Sequence, residues 1–370
     1  MAIASILAAL VVTVVPDYQQ ILDRFLIDQE VPGVSAIVTH QDSVLFSSAS
    51  GLADIESGQA MTADTVLYAG SLTKILTSVL TLHLVAEGKL SLNDIALEIA
   101  RQTSQENVGI SILHLLTHSS GLDREGNFGY WYSAEFPDST ALARYLFDPE
   151  LRAAPGASTH YSNIGYAALG AVIERTSGQA YADALRTRVL LPLGMTSSGA
   201  PGPAPNVARG YTPVGRVMPN EAKPFAGVGR SVGARHIREY HDAKAMTPAF
   251  GAYTSARDMG RLVRFLLGFG SNDVLTDKLR QQMLTPQISG RGLGLRIGRL
   301  NGHSVARHDG WFAAHRSHLL LDLQAAVGVV VLANSDSAAP ALIAEALIAA
   351  ALQLEPGLQQ PPGSPGNLNQ

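Results

Sequence analysis

The stretch Leu67-Tyr-Ala-Gly-Ser71-Leu-Thr-Lys74-Ile-Leu-Thr-Ser-Val-Leu80 decides how this chain is interpreted. Its apolar residues recur at helical spacing, with Ser71 at the mouth of the predicted helix and Lys74 one turn later on the same face. A serine hydroxyl is a poor nucleophile near neutral pH, and a desolvated lysine can serve as its base. The same spacing also arises from a capping serine and a solvated lysine. Because Lys74 is followed by an apolar run typical of a buried helix, the reactive pair is favoured.

Two later segments strengthen this interpretation. Tyr161-Ser-Asn163 follows a Pro-Gly turn, and His308-Asp-Gly310 lies between two strand-like runs. The order S-x-x-K, Y-x-N and [K/H]-x-G resembles the serine β-lactamase and penicillin-binding-protein superfamily, whose class A members carry S-x-x-K, S-D-N and K-T-G. The resemblance is strongest to the branch that contains class C β-lactamases, D-aminopeptidases and family VIII carboxylesterases.

Further landmarks extend the resemblance over roughly residues 20 to 350. They are Pro32-Gly-Val-Ser-Ala-Ile-Val38, Leu113-His-Leu-Leu-Thr-His-Ser-Ser-Gly-Leu122, Leu190-Leu-Pro-Leu-Gly-Met195, Thr254-Ser-Ala-Arg-Asp-Met259 and Gly328-Val-Val-Val-Leu-Ala-Asn-Ser335. Ordered matches of this kind are very unlikely by chance.

The resemblance implies roles for the first two motifs. Ser71 would attack a substrate carbonyl to form an acyl-enzyme, and Lys74 would help to remove its proton. Tyr161 would shuttle protons, provided that its cationic neighbours Lys74 and His308 lower its pKa from about 10. Asn163 would bind Lys74 and a polar group of the substrate. The structural alternatives are a packed tyrosine for Tyr161 and a capping residue for Asn163.

The third motif departs from the usual lysine. His308 can donate a hydrogen bond towards Tyr161 or a substrate carboxylate, but unlike lysine it can be neutral at working pH; a structural histidine is the alternative. Gly310 would let the substrate approach the strand, and the backbone N–H groups of Ser71 and Trp311 would form the oxyanion hole. The bulky Trp311 and Phe312 are expected to narrow the cleft.

Composition excludes several classes of protein and site. The chain has 370 residues, 46% hydrophobic and 16% charged, with a net charge of −4, which argues against a nucleic-acid partner or a polybasic membrane surface. Without cysteine there can be no disulfide, thiol chemistry or zinc–thiolate site. His236-Ile-Arg-Glu-Tyr-His241 does not have the spacing of a zinc-binding motif. We expect no metal and no cofactor.

The pattern of elements predicts an α+β fold. Strands are expected in the N-terminal part and after Gly290, with the Asn301-Gly302 dipeptide as a hairpin turn, whereas residues 75–285 read as mostly helical and loop-rich. We therefore predict an antiparallel sheet built from both chain ends, flanked by helices, with an inserted helical region. The predicted domain is 17–355, with sheet parts 17–70 and 286–355 and a helical part 71–285.

Three stretches lack regular patterns. Residues 124–140 and 200–235 are rich in glycine or proline and irregular, which is typical of binding loops. Residues 356–370 are predicted to be a disordered tail.

The N-terminus suggests export. Residues 2–15 are apolar and end at Pro16, a length that suits a signal-peptide core better than a membrane span. No basic residue precedes them and no clear cleavage site follows, so a cytoplasmic protein is the alternative. We expect a periplasmic or secreted protein, with any membrane attachment made only through residues 1–15.

The resemblance implies a serine hydrolase with a small-molecule ester or amide as substrate. A carboxylesterase is favoured, because His308 replaces lysine and no class A deacylating glutamate motif is evident. A β-lactamase, or a peptidase acting on D-amino-acid or peptidoglycan-like amides, is the alternative. A non-catalytic binding protein that keeps the fold is a further alternative, against which the intact Ser71, Lys74 and Tyr161 argue.

Overall fold

A computed structural model describes residues 17–101, 109–200, 207–214, 228–238, 242–270 and 273–352. The predicted leader 1–16 and the predicted tail 356–370 lie outside the described residues, so both remain predictions. Within the described parts, no helix is both long and apolar enough to cross a membrane.

A seven-stranded antiparallel sheet joins the two ends of the chain, as predicted. Its strands are β1 (Gly33–His40), β2 (Ser43–Asp54), β3 (Gln59–Ala60), β9 (Arg296–Leu300), β10 (His303–Phe312), β11 (His315–Asp322) and β12 (Val327–Ala333). Their order in the sheet is β3-β2-β1-β12-β11-β10-β9. Strand β1 pairs with β12 from Val34 opposite Ala333 to His40 opposite Val327. Both strands are almost fully buried, which explains their nearly continuous apolar sequences. A separate two-stranded sheet pairs β4 (Leu67–Tyr68) with β8 (Tyr253–Thr254).

Helices cover both faces of this sheet. On one face, α1 (Tyr18–Asp28) and α12 (Pro340–Ala351) enclose an apolar cluster that includes Leu22 and Leu347. On the other face, α10 (Ala256–Leu266) lies on β1 and β12. Although α10 falls within the range predicted as the helical part, it packs on the sheet and covers one of its faces. Gly260 permits the close approach, because an added Cβ would lie 2.2 Å from Cδ1 of Ile37.

The helical part is built around α2 and α7, which pack against each other. Both helices are mostly buried along their lengths. The helices of this part are α2 (Thr73–Ala86), α3 (Ala96–Arg101), α4 (Ile112–Leu116), α5 (Tyr130–Ser133), α6 (Ser139–Phe147), α7 (Asn163–Ser177), α8 (Tyr181–Leu185), α9 (Thr247–Phe250) and α11 (Asp277–Met283).

Part of the region expected to be irregular, 200–235, forms strands instead. A three-stranded antiparallel sheet has the order β5-β7-β6, from Gly210–Pro213, Arg235–Arg238 and Val228–Val232. Its first strand is bonded to the end of β12: Tyr211 N–H donates to the carbonyl of Asn334 over 3.0 Å, and Asp336 N–H donates to the carbonyl of Tyr211 over 3.0 Å. These tertiary hydrogen bonds impose strand geometry on a short segment with little strand pattern of its own.

The turn before α2 packs closely against the backbone of β10. Gly70 has a φ of +53°, and a Cβ added there would lie 2.3 Å from the backbone nitrogen of Trp311. The neighbouring Ala69 carbonyl accepts a 2.8 Å hydrogen bond from the Ser317 hydroxyl. A glycine is therefore required both by its backbone conformation and by the closeness of the strand. This contact fixes the start of α2 relative to β10.

We expect Gly70→Ala to lower the free energy of unfolding by more than an alanine substitution at a glycine that has a positive φ but no close neighbours. The matched control is Gly58→Ala, since Gly58 has a φ of +70° but nothing within 4 Å of an added Cβ. The control should lose about 1 kcal/mol, and Gly70→Ala about 3 kcal/mol or more because backbone atoms cannot move aside cheaply. Urea unfolding measures both. Equal losses would show that β10 can shift away from the turn.

Candidate active site

Ser71 lies in a 3-10 turn, Gly70–Leu72, that leads directly into α2. The turn is held by Thr73, whose hydroxyl donates to the Gly70 carbonyl over 2.6 Å and accepts from Ala252 N–H over 3.1 Å. The nucleophile candidate therefore sits on a rigid element at the junction of the helical part and the sheet.

The structure brings Ser71, Lys74 and Tyr161 together, as the motifs predict. Tyr161 Oη donates to Ser71 Oγ over 2.8 Å, and Lys74 Nζ lies 3.2 Å from the same oxygen. Lys74 Nζ is also 4.7 Å from the centroid of the Tyr161 ring. This is the geometry that base-assisted attack by a serine requires.

Lys74 is completely buried and fully hydrogen-bonded. Besides Ser71, its amino group contacts Asn163 Oδ1 at 2.7 Å and the Ala249 carbonyl at 2.8 Å. Burial lowers the pKa of Lys74 well below its usual range, although the negative charge of Glu125 opposes this shift. A lysine with a lowered pKa has the neutral form available, and that form can accept the proton of Ser71.

Tyr161 differs from the expectation. Burial raises the pKa of its phenol to about 12, and the hydrogen bond with Ser71 and the charge of Arg124 only partly offset this effect. The expectation that Lys74 and His308 draw this pKa down is therefore wrong. At neutral pH the phenol is protonated, so Tyr161 is a hydrogen-bond donor to Ser71 Oγ in the resting state.

His308 lies beside Tyr161, with ring centroids 6.2 Å apart. Burial lowers the pKa of His308 to about 3, and the charge of Lys74 adds to the shift. Its Nδ1 lies 2.7 Å from the carbonyl of Asp309, which places the proton of the neutral ring on Nδ1 and leaves Nε2 as an acceptor. His308 is thus neutral, as anticipated, but it cannot donate to Tyr161 through Nε2 in this form.

The predicted oxyanion donors lie next to each other. A Cβ added to Gly310 would lie 3.3 Å from Ser71 N, and one added to Gly70 would lie 2.3 Å from Trp311 N. Strand β10 pairs with β9 only as far as Arg307. Strand β10 also contacts the turn that carries Ser71. The backbone of Ser71 therefore lies close to that of Gly310 and Trp311, and an oxyanion hole formed by the N–H groups of Ser71 and Trp311 stays a prediction.

Four aromatic side chains pack together next to the end of β10. The Trp131 ring is tilted against Trp311 and Phe250, with centroid distances of 5.1 and 5.2 Å, and Phe312 lies 5.2 Å from Phe250. Phe250 and Phe312 are buried, whereas Trp131 and Trp311 are half-buried. The indole N–H of Trp311 donates to the buried carboxylate of Asp336, which also accepts from the Thr212 hydroxyl. Trp311 is therefore anchored, and with Trp131 it forms a half-buried apolar surface. Phe312 packs in the core, so the expectation that it narrows the cleft is wrong.

Three residues of the site were missed by the sequence reasoning. Glu125 accepts from Asn163 Nδ2, Arg124 packs 5.6 Å from the Tyr161 ring, and the His118 ring lies 4.4 Å from that ring. Burial lowers the pKa of His118 well below its usual range, and its Nδ1 accepts from Ser162 N–H over 3.1 Å. Arg124 and Glu125 lie in the irregular stretch 124–140, and His118 lies in the landmark Leu113–Leu122, but neither pattern singles out a residue of the site.

Asn163 binds Lys74 as expected, but its other end does not face a substrate position. Its Nδ2 lies 2.8 and 3.0 Å from the two carboxylate oxygens of Glu125. Asn163 thus links Lys74 to Glu125.

Comparison with known proteins gives relatives of several activities. The chain is 29% identical to esterase EstB from Burkholderia gladioli over 308 residues, which is 76% of this chain and 78% of that protein. It is also 29% identical to a β-lactamase from Escherichia coli over 237 residues, 64% of this chain and 56% of that protein. Among solved structures, D-amino acid amidase from Ochrobactrum anthropi SV3 superposes with a TM-score of 0.74 at 24% identity, covering 86% of this chain and 91% of that one.

The family model described as Beta-lactamase matches residues 18–353, which includes all three motifs and both ends of the sheet. The fold of the amidase structure has the same mixed arrangement of a large antiparallel sheet and helices. Since the match spans nearly all of the described chain and the three motifs meet around one serine, the chain belongs to the Beta-lactamase family.

Proposed function

We propose that this chain, a serine hydrolase of that family, hydrolyses carboxylic esters with an apolar acyl group through an acyl-enzyme on Ser71. The observation that carries the proposal is the pair of half-buried indoles of Trp131 and Trp311, whose rings lie 5.1 Å apart, with the backbone of Trp311 against the turn that carries Ser71. A surface of this kind gains free energy by contact with an apolar acyl chain. The similarity to esterase EstB supports the same substrate class.

The chemistry follows from the hydrogen bonds around Ser71. Neutral Lys74 takes the proton of Ser71 as Oγ attacks the ester carbonyl, and the backbone N–H groups of Ser71 and Trp311 stabilise the oxyanion. Collapse of the tetrahedral intermediate breaks the bond to the alkoxide, which receives a proton from Tyr161, and Tyr161 is reprotonated from Lys74. Water then attacks the acyl-enzyme by the same steps in reverse order, releasing the acid and regenerating Ser71.

The neutral state of His308 also supports an ester substrate. A lysine at this position would offer a permanent cation to the carboxylate of a β-lactam or a peptide terminus. His308, with a pKa of about 3, has no positive charge at neutral pH. A neutral ester does not need that charge.

A second candidate is a substrate that bears a carboxylate, such as a β-lactam or a D-amino-acid peptide. The observation in its favour is Arg291, which lies near enough to Tyr161 and His118 that its charge lowers the pKa of each. Arginine is well suited to bind a carboxylate. Relatives whose names support this candidate include the β-lactamase and the D-alanyl-D-alanine-carboxypeptidase/endopeptidase AmpH of Escherichia coli.

We also propose that the protein is exported, on the basis of the apolar stretch 2–15. N-terminal sequencing of the protein purified from its native cell envelope or medium tests this. A mature chain that begins after this stretch supports export, whereas an intact N-terminus in the cytosolic fraction contradicts it.

Acylation of Ser71 is the direct test of the proposed mechanism. A fluorophosphonate probe should label the wild type at Ser71, as mapped by mass spectrometry of the digested protein, because Lys74 and Tyr161 activate that hydroxyl. Ser71→Ala should not be labelled. The control is Ser57→Ala, which changes an exposed serine in a turn outside the site and should label normally. Labelling at another residue would refute the assignment.

Substrate preference separates the two candidates. We expect kcat/KM for p-nitrophenyl butyrate to exceed that for a chromogenic cephalosporin. In His308→Lys the ratio should move towards the cephalosporin by about tenfold or more, since a hydrogen bond to a charged group contributes about 1.5–3 kcal/mol. The control is His303→Lys, which makes the same substitution at the start of β10, where residue 303 is paired with Asp322.

A wild type that prefers the cephalosporin would instead support the second candidate. In that case Arg291→Gln should weaken cephalosporin turnover more than ester turnover.

A further inference from the structure

We propose that Glu125 is a positioning residue that fixes the orientation of the Asn163 amide and thereby holds Lys74 against Ser71. The proposal rests on the proposed function of Ser71 and Lys74. Glu125 belongs to the loop before α5 and does not itself contact Ser71 among the described hydrogen bonds. It acts through one intervening side chain.

The amide of Asn163 has two different ends, and each meets a different partner. Its Oδ1 lies 2.7 Å from Lys74 Nζ, and its Nδ2 lies 2.8 and 3.0 Å from the oxygens of Glu125. The reversed orientation would place the amide oxygen against the carboxylate, where two acceptors would face each other. The charge on Glu125 therefore allows only the orientation that presents an acceptor to Lys74.

Glu125 is held in turn by groups that are not part of the reaction. Tyr130 donates its hydroxyl to Oε2, and Arg124 Nε lies 3.1 Å from Oε1. Tyr130 is almost completely buried, and burial together with the charge of Glu125 raises the pKa of its phenol well above the usual range. It therefore remains a donor. The side chain of Glu125 is 17% exposed, so its hydrogen bonds are largely sheltered from water.

The carboxylate also acts on Lys74 through its charge. Its negative charge favours the protonated form of Lys74 and so limits the effect of burial. Arg124 acts in the opposite direction. From α9 only the Ala249 carbonyl reaches the amino group. The other titratable side chains around Lys74 are the phenols of Tyr161 and Tyr166 and the imidazoles of His118 and His308.

The sign of the expected change follows from these charges. Attack by Ser71 requires neutral Lys74, so the rate rises with pH through the pKa of Lys74. Removing the charge at 125 lowers that pKa, and the rising limb moves to lower pH. A residue with only a structural role would reduce the rate without moving the limb.

The first measurement is a direct titration of Lys74. In protein labelled with [ε-13C]lysine, the Lys74 signal is assigned by its absence from Lys74→Met. In Glu125→Gln, which keeps the shape and removes the charge, its titration midpoint should fall by about one pH unit. The control is Glu135→Gln, which removes an exposed charge from the segment that follows α5 and should leave the midpoint unchanged. An unchanged midpoint in Glu125→Gln would overturn the charge effect and with it the proposal.

The second measurement is the rate of fluorophosphonate labelling between pH 4 and 10. In Glu125→Gln, the pH range over which the labelling rate rises should shift to lower pH. In Glu125→Ala, the plateau rate should fall by up to about a hundredfold, because a small misplacement of reacting groups can cost that much. Adding Glu125→Ala to Asn163→Ala should cost little further, since Glu125 acts through Asn163. Full additivity would overturn the proposal.

The two measurements keep the proposals separate. If the wild type is not labelled at Ser71, the proposed function fails, while the titration of Lys74 still decides the role of Glu125.

Discussion

The burial of one amino group, that of Lys74, sets the conditions that the rest of the site meets. A lysine without water needs an acceptor for each of its protons. Ser71 supplies one from the preceding turn, Asn163 supplies one from the start of α7, and the Ala249 carbonyl supplies one from α9. These elements must hold their relative positions for the amino group to be satisfied, so the reactive geometry and the stability of the helical part have the same origin.

The polar residues that follow along α2 extend this arrangement. Thr77 bonds to the Tyr181 hydroxyl at 2.7 Å and to the Pro248 carbonyl at 2.6 Å. Ser78 lies 3.2 Å from the Tyr166 hydroxyl, which donates to the Leu116 carbonyl over 3.0 Å. Each hydroxyl joins α2 to another segment, so this buried helix is oriented by directional bonds in addition to apolar contact. A helix buried only by aliphatic side chains could rotate or slide more easily against its neighbours.

Much of the fold and the central residues of the site could be predicted from the sequence, because they depend on local signals. The S-x-x-K motif marks the turn that opens α2, and the Y-x-N motif marks the start of α7. The apolar runs of β1 and β12 indicate buried strands. Glu125 could not be predicted, since nothing in the loop distinguishes it until the loop meets α7. The pKa of Tyr161 could not be predicted either, because burial outweighs the neighbouring charges and burial depends on the whole fold. Strand β9 begins at Arg296, later than expected, because Gly294 adopts a φ of +84° where its backbone meets α2.

The pairing of β1 with β12 has a consequence for how the molecule is made. About 300 residues separate the partners Val34 and Ala333, so the central pair of the sheet closes one of the largest loops that the chain can form. During synthesis from the N-terminus, the β1–β2 hairpin leaves the ribosome long before β12 and presents an apolar unpaired edge. The edge of β1 that pairs with β12 therefore stays unsatisfied until the last strands of the sheet have been made.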